Sequence, residues 1–88
     1  MVSKKVTITN PTGLHLMPAG VLCKTAIQFE SKISFEIGDS ISNAKSVLSV
    51  LGACVKHGDE ILLVCEGPDE EEAMLAMVNA IESGLGEE

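Results

Sequence analysis

The run EILLVCE at residues 60–66 constrains this chain more than any other stretch. It reads as a strongly apolar β-strand, and a strand apolar on both faces belongs in the middle of a sheet, with neighbours on either side. Three other segments supply those neighbours. Residues 6–9 (VTIT) alternate apolar and polar and are rich in β-branched side chains, which predicts a half-buried strand starting near Val2. Ile33, Phe35 and Ile37 alternate with Ser34 and Glu36 to give a second strand. Gly38 and Asp39 then form a tight turn into a short third strand around Ile41.

Between the strands the period changes to that of helices. From Pro18 the apolar positions Ala19, Leu22, Ala26 and Phe29 recur at helical spacing, and proline suits a first helical turn. Ser46 stands as N-cap before Val47, Leu48, Leu51 and Cys54, a short second helix. Pro68 and Asp69 open the last helix with Asp69 as its cap. Glu70, Glu71 and Glu72 lie at its positive end, Ala73, Met74, Met77, Val78 and Ile81 form its buried face, and Gly84 ends it. The order is βαββαβα, with too many strands for the helices to be crossovers of a parallel sheet. The expected fold is an α+β open-faced β-sandwich: one domain over residues 1–88, a four-stranded, mostly antiparallel sheet covered on one face by three helices.

Charge narrows the function. Thirteen acids against six lysines give a formal charge of −7, and the chain contains no arginine. That balance argues against nucleic-acid backbones and anionic membrane surfaces as partners. Residues 1–10 (MVSKKVTITN) hold no apolar stretch of signal-peptide length, and no run approaches the ~18 apolar residues of a membrane span. The expectation is a cytoplasmic monomer that does not insert into membranes. Cys23, Cys54 and Cys65 are far apart in apolar runs with no paired spacing, so they are expected to be reduced, buried, core-filling thiols without a metal. His57, in the turn HGD, is expected to be solvated.

The chemistry points to GLHLMPAG, residues 13–20. With Pro18 in a first helical turn, His15 falls at or just before the N-cap. The first N–H groups of a helix lack partners and carry partial positive charge, so they form an anion site. A neutral imidazole nitrogen placed there can attack phosphorus, and the phosphoryl group it accepts would lie against those N–H groups. The plain alternative is that His15 only caps the helix or bonds within its loop. No cofactor is implied.

These motifs together resemble the HPr family, the histidine-containing phosphocarrier proteins of the bacterial sugar phosphotransferase system. GLHLMPA before the first helix, NAKSVLSVLG before the second, and KHGDEILLVCEGPDEEEAM carry the resemblance across essentially the whole chain. It implies that His15 is the phosphorylated histidine, accepting phosphate from enzyme I and passing it to the IIA components of sugar transporters. Pro18 matches the helix-opening proline. Ser46 matches a regulatory site, phosphorylated in some members by an HPr kinase/phosphorylase. Val47, Leu48 and Leu51 match the apolar patch that docks partners, and helical geometry requires at least one of them to be exposed.

The departure is at position 17. The family carries an arginine there, beside the phosphoryl oxygens, where this chain has Met17. Leu16 also replaces a usually smaller or polar residue. Methionine offers neither donor nor charge. Lys24 is the nearest cation along the same helix, two turns on, about 10 Å of axial rise. The resemblance thus implies a phosphocarrier and not an enzyme. The competing expectation is a regulatory binding module acting through Ser46 with weak or no phosphotransfer, as in catabolite-repression homologues that lack the histidine.

Overall fold

The computed structural model describes residues 1–86. Its elements are β1 (Val2–Thr7), α1 (Leu16–Ala26), β2 (Lys32–Ile37), β3 (Ser40–Asn43), α2 (Val47–Gly52), β4 (Glu60–Glu66) and α3 (Glu70–Glu82). The sheet order is β1-β4-β2-β3 and every pairing is antiparallel. The apolar run EILLVCE is therefore central, flanked by β1 and β2. Its pleat buries Ile61, Leu63 and Cys65 on one face and leaves Leu62 and Val64 half-buried on the other. Helices α1 and α3 pack on each other, and α3 also packs on β1 and β4. Between helices and sheet, Ile8, Leu22, Phe35, Leu63, Met77 and Ile81 lie out of contact with water. Each such side chain contributes about 1.5–3 kcal/mol of burial.

Helix α1 begins at Leu16 with His15 as its N-cap and Pro18 in its first turn, as expected, since a proline at the third helical position has no helical N–H bond to lose. Other local expectations are corrected. Phe29 lies beyond the end of α1, half-buried. Helix α2 stops at Gly52, so Cys54 is not on its face and adopts a left-handed backbone with φ of 55°. Of the three thiols only Cys65 is buried. Cys23 is half-buried and Cys54 is exposed, contrary to the expectation that all three fill the core. In β3 the pleat turns Ser42 inward and leaves Ile41 72% exposed.

Asp69 occupies the N-cap position of α3, yet its carboxylate does not cap that helix. It accepts hydrogen bonds from the N–H groups of Glu30 (3.0 Å) and Ser31 (2.9 Å) and from the Ser31 hydroxyl, tying the start of α3 to the entry of β2. The Ser31 hydroxyl, followed by the Glu30 N–H, holds the Asp69 carboxyl below its usual range. Glu70 reaches back to the N–H of Gly67 (3.1 Å), as in half of a capping box, and pairs with the chain's amino terminus at 2.9 Å.

Candidate functional site

His15 is the N-cap residue of α1, with extended backbone (φ −76°, ψ −174°), and its carbonyl accepts the first helical bond from Ala19 N–H at 2.8 Å. Its side chain caps nothing, and the first turn contains no acid. Pro18 has no N–H, so the orphan donors at this end are concentrated on Leu16 and Met17. The imidazole is exposed. An anion bonded to it would find backbone donors and the positive end of an 11-residue helix dipole unopposed by any carboxylate on that turn.

The loop before His15 is held by contacts remote in sequence. The Asn10 amide donates to Gly13 O (2.6 Å), Gly13 N–H donates to Asn10 O (3.2 Å), and Leu14 N–H donates to Val55 O (2.9 Å). Gly13 has φ of +66°, and a Cβ there would fall 2.5 Å from Val55 O and 2.7 Å from Lys56 Cα. Only glycine lets the two backbones approach this closely. The 55–59 turn is stitched in turn to the end of β1, through Ile8 N–H to Asp59 O (2.8 Å) and Gly58 N–H to Ile8 O (2.7 Å). His57 is exposed, as expected, with Nδ1 3.2 Å from Asn10 O.

A hollow of about 460 Å³ opens at His15, lined also by Leu14, Leu16, Leu51, Cys54, Val55 and Lys56. It brings His15 and Leu51 together. Lys24, by contrast, sits in the last turn of α1, at the far end of the helix from His15. Met17 and Leu16 are 68% and 70% exposed, while Pro18 is buried beneath them. Sequence reasoning missed Cys54 and Lys56 as neighbours of the histidine. The approach of Gly13 to residues 55 and 56 that places them is a contact over 40 positions with no local signature.

Ser46 is the N-cap of α2 as expected, and its hydroxyl oxygen accepts from Ser49 N–H at 3.2 Å. The segment before it is braced against α1. The Cys23 thiol donates to Lys45 O (3.0 Å), and Lys45 Nζ donates to Phe29 O (2.6 Å). Leu48 is 83% exposed, Val47 and Leu51 are half-buried, and the residue α2 buries is Val50. Among the described residues no group of three His, Cys, Asp or Glu side chains is placed to hold a metal ion.

An antiparallel sheet backed by three helices, with an exposed histidine at an uncapped helix start, defines a small domain of the open-faced sandwich class. Residues 2–83 match the family model described as the PTS HPr component phosphorylation site, and the chain belongs to the HPr family of phosphocarriers of the phosphotransferase system. It is similar to the phosphocarrier protein HPr of Treponema pallidum, 38% identical over 100% of both chains. It is equally similar to the HPr-like protein Crh of Halalkalibacterium halodurans, 38% identical over 93% of this chain and 98% of that one. Among solved structures, HPr-C-His from Thermoanaerobacter tengcongensis superposes with a TM-score of 0.96 at 42% identity, covering 100% of this chain and 99% of that chain. No helix among the described residues is long and apolar enough to cross a membrane.

Proposed function

We propose that the chain is a phosphocarrier that accepts a phosphoryl group on His15 from enzyme I and hands it to IIA components of sugar transporters. The observation that carries this is the exposed imidazole at the uncapped, acid-free start of α1. In the forward step the lone pair of a ring nitrogen attacks the donor's phosphorus. An N–P bond forms as the bond to the donor breaks, the electron pair leaves with the donor, and the ring keeps the proton on its other nitrogen. The phosphoryl oxygens turn toward the Leu16 and Met17 N–H groups. Transfer onward is the same displacement with the imidazole as leaving group. The protein binds and positions the group without a turnover of its own.

Exposed Leu48, with half-buried Val47 and Leu51, supports the docking role of that patch. Ser46 stands directly before it, and phosphorylation of that hydroxyl by an HPr kinase/phosphorylase would set a dianion against an arriving acidic partner. Met17 favours the second reading, a regulatory module with little transfer, because it leaves no cation on the exposed side of residue 17. Incubation with enzyme I and phosphoenolpyruvate decides. Labelling of the wild type that disappears in His15→Ala is the expected result. Undiminished label in that variant, on His57 for example, overturns the assignment, and a folded wild type that takes no label returns the function to the regulatory module.

A further inference from the structure

The arginine that the resemblance leads one to expect beside the phosphoryl group is absent, and the residue in its place has no donor. Yet a phosphoryl group on His15 would add close to two negative charges to a chain already at −7. The six lysines are the only other permanent cationic side chains, and the structure separates them. Lys4 and Lys5 lie on β1, Lys32 opens β2, and Lys24 lies in the last turn of α1. The Lys45 ammonium is committed to Phe29 O. Lys56 alone of the six lines the hollow that contains His15.

We infer that Lys56 is the phosphate-binding cation of this protein, supplied from the turn before β4 in place of an arginine on α1.

The inference rests on His15 being the phosphoryl acceptor. Three observations support it. The backbone of Lys56 is held against the histidine's own loop, with Lys56 Cα at the contact distance that only Gly13 permits. Lys56 N–H donates to the Asp59 carboxylate (2.9 Å) and its carbonyl accepts from Asp59 N–H (3.0 Å), so the turn that presents the side chain is closed on itself. The side chain is exposed, and among the described residues its ammonium makes no ion pair. An ammonium is a compact point charge on a flexible stem, so it follows the phosphoryl oxygens without the fixed fork geometry of a guanidinium.

The consequence is kinetic. Loss of a phosphoryl group from an imidazole runs through a loose, metaphosphate-like transition state in which charge on the peripheral oxygens diminishes. A cation on those oxygens stabilises the phosphorylated ground state more than that transition state, and so slows spontaneous hydrolysis. For one exposed charge pair the effect is about two- to five-fold.

Phosphoramidate, a small chemical donor, makes the phosphohistidine without any partner enzyme, and peptide mapping follows the label on His15 apart from His57. The wild type, Lys56→Gln, Lys56→Arg and Lys24→Gln are compared for the hydrolysis rate of phospho-His15. The Lys56 Cε and Nζ resonances are recorded before and after phosphorylation. The expected result is about two- to five-fold faster loss in Lys56→Gln, wild-type behaviour in Lys56→Arg and Lys24→Gln, and a shift of the Lys56 resonances on phosphorylation. Equal rates in wild type and Lys56→Gln, or a faster loss in Lys24→Gln instead, overturn the inference. Enzyme I labelling of the same variants keeps the two proposals apart. Label on Lys56→Gln with unchanged hydrolysis sinks the role of Lys56 alone. Failure of enzyme I to label any variant sinks the carrier function, while the phosphoramidate rates still decide on Lys56.

Discussion

Gly13→Ala tests whether the loop carrying His15 is held as described. Two costs add. At φ of +66° an L-residue is in the left-handed region, which costs about 1–2 kcal/mol. The new Cβ would also fall 2.5 Å from Val55 O and 2.7 Å from Lys56 Cα, both backbone atoms that cannot swing aside. Relieving that overlap moves one backbone off the other and weakens the 2.9 Å bond from Leu14 to Val55, a further cost of about 1–3 kcal/mol. The sum is about 2–5 kcal/mol. In a domain of this size each kcal/mol moves the melting temperature by roughly 4–8 °C, so a fall of at least about 8 °C is expected. Gly38→Ala is the matched control. Its φ is +57°, and nothing lies within 4 Å of the added carbon, so only the backbone cost of about 1–2 kcal/mol applies. Thermal unfolding of the three proteins followed by circular dichroism gives the comparison. If Gly13→Ala melts at or above Gly38→Ala, the close approach of the two loops is refuted, and with it the placement of Lys56 beside His15.

Ser46→Ala is expected to lose about 1 kcal/mol of stability, because the bond to Ser49 N–H goes. Ser46→Asp, itself a good cap, is expected to melt like the wild type yet accept phosphate from enzyme I more slowly; unchanged transfer would leave Ser46 a cap and nothing more. A bulky maleimide under native conditions is expected to modify exposed Cys54 first and Cys65 last, since burial, aided by the Glu70 and Asp69 charges, pushes the Cys65 thiol up. The Cys54 adduct should then slow phosphorylation of His15, and undiminished labelling of the adduct would show that the hollow takes no part. Asp69 and Glu70 are both held below the ordinary carboxylate range, by the Ser31 hydroxyl and by the terminal ammonium respectively. A lowered value means that their stabilisation is complete above about pH 5, beyond the ordinary carboxylate values, and is lost as the pH falls through those values to the native ones. Asp69→Asn should therefore lower the melting temperature at neutral pH and flatten its decline in acid, and an acid limb as steep as the wild type's would refute that cause.

What could be read from the sequence was local. The unbroken apolar run of EILLVCE and the period-two pattern of residues 33–37 depend on neighbours one and two positions away, and they located β4, β2 and the centre of the sheet. The Ser46 cap closes over three residues and was equally visible. Where a side chain takes its partner from far along the chain, local pattern failed. Asp69 was expected to cap its own helix, but its carboxylate found donors 38 and 39 residues away. Cys54 has the apolar neighbours of a core residue, but α2 ends before it and leaves it exposed. The histidine's place at a helix start was legible from Pro18 two residues into the turn, whereas its surroundings depend on how the 13–15 and 55–56 backbones meet.

The bare start of α1 also has an energetic consequence. Most helices end their first turn with a side chain that satisfies the leading N–H groups, and here that function is left open. A phosphoryl group on His15 would act as a transient cap, so the modified protein should melt higher than the unmodified one. Linkage makes this reciprocal: every increment of folding stability gained on phosphorylation is subtracted from the group-transfer potential of the phosphohistidine. A tightly gripping site would make a stable phosphoprotein and a poor donor. With two backbone donors and a flexible ammonium where a guanidinium would grip more firmly, a phosphohistidine at residue 15 would stay near the high-energy end of that scale, suited to giving the group away.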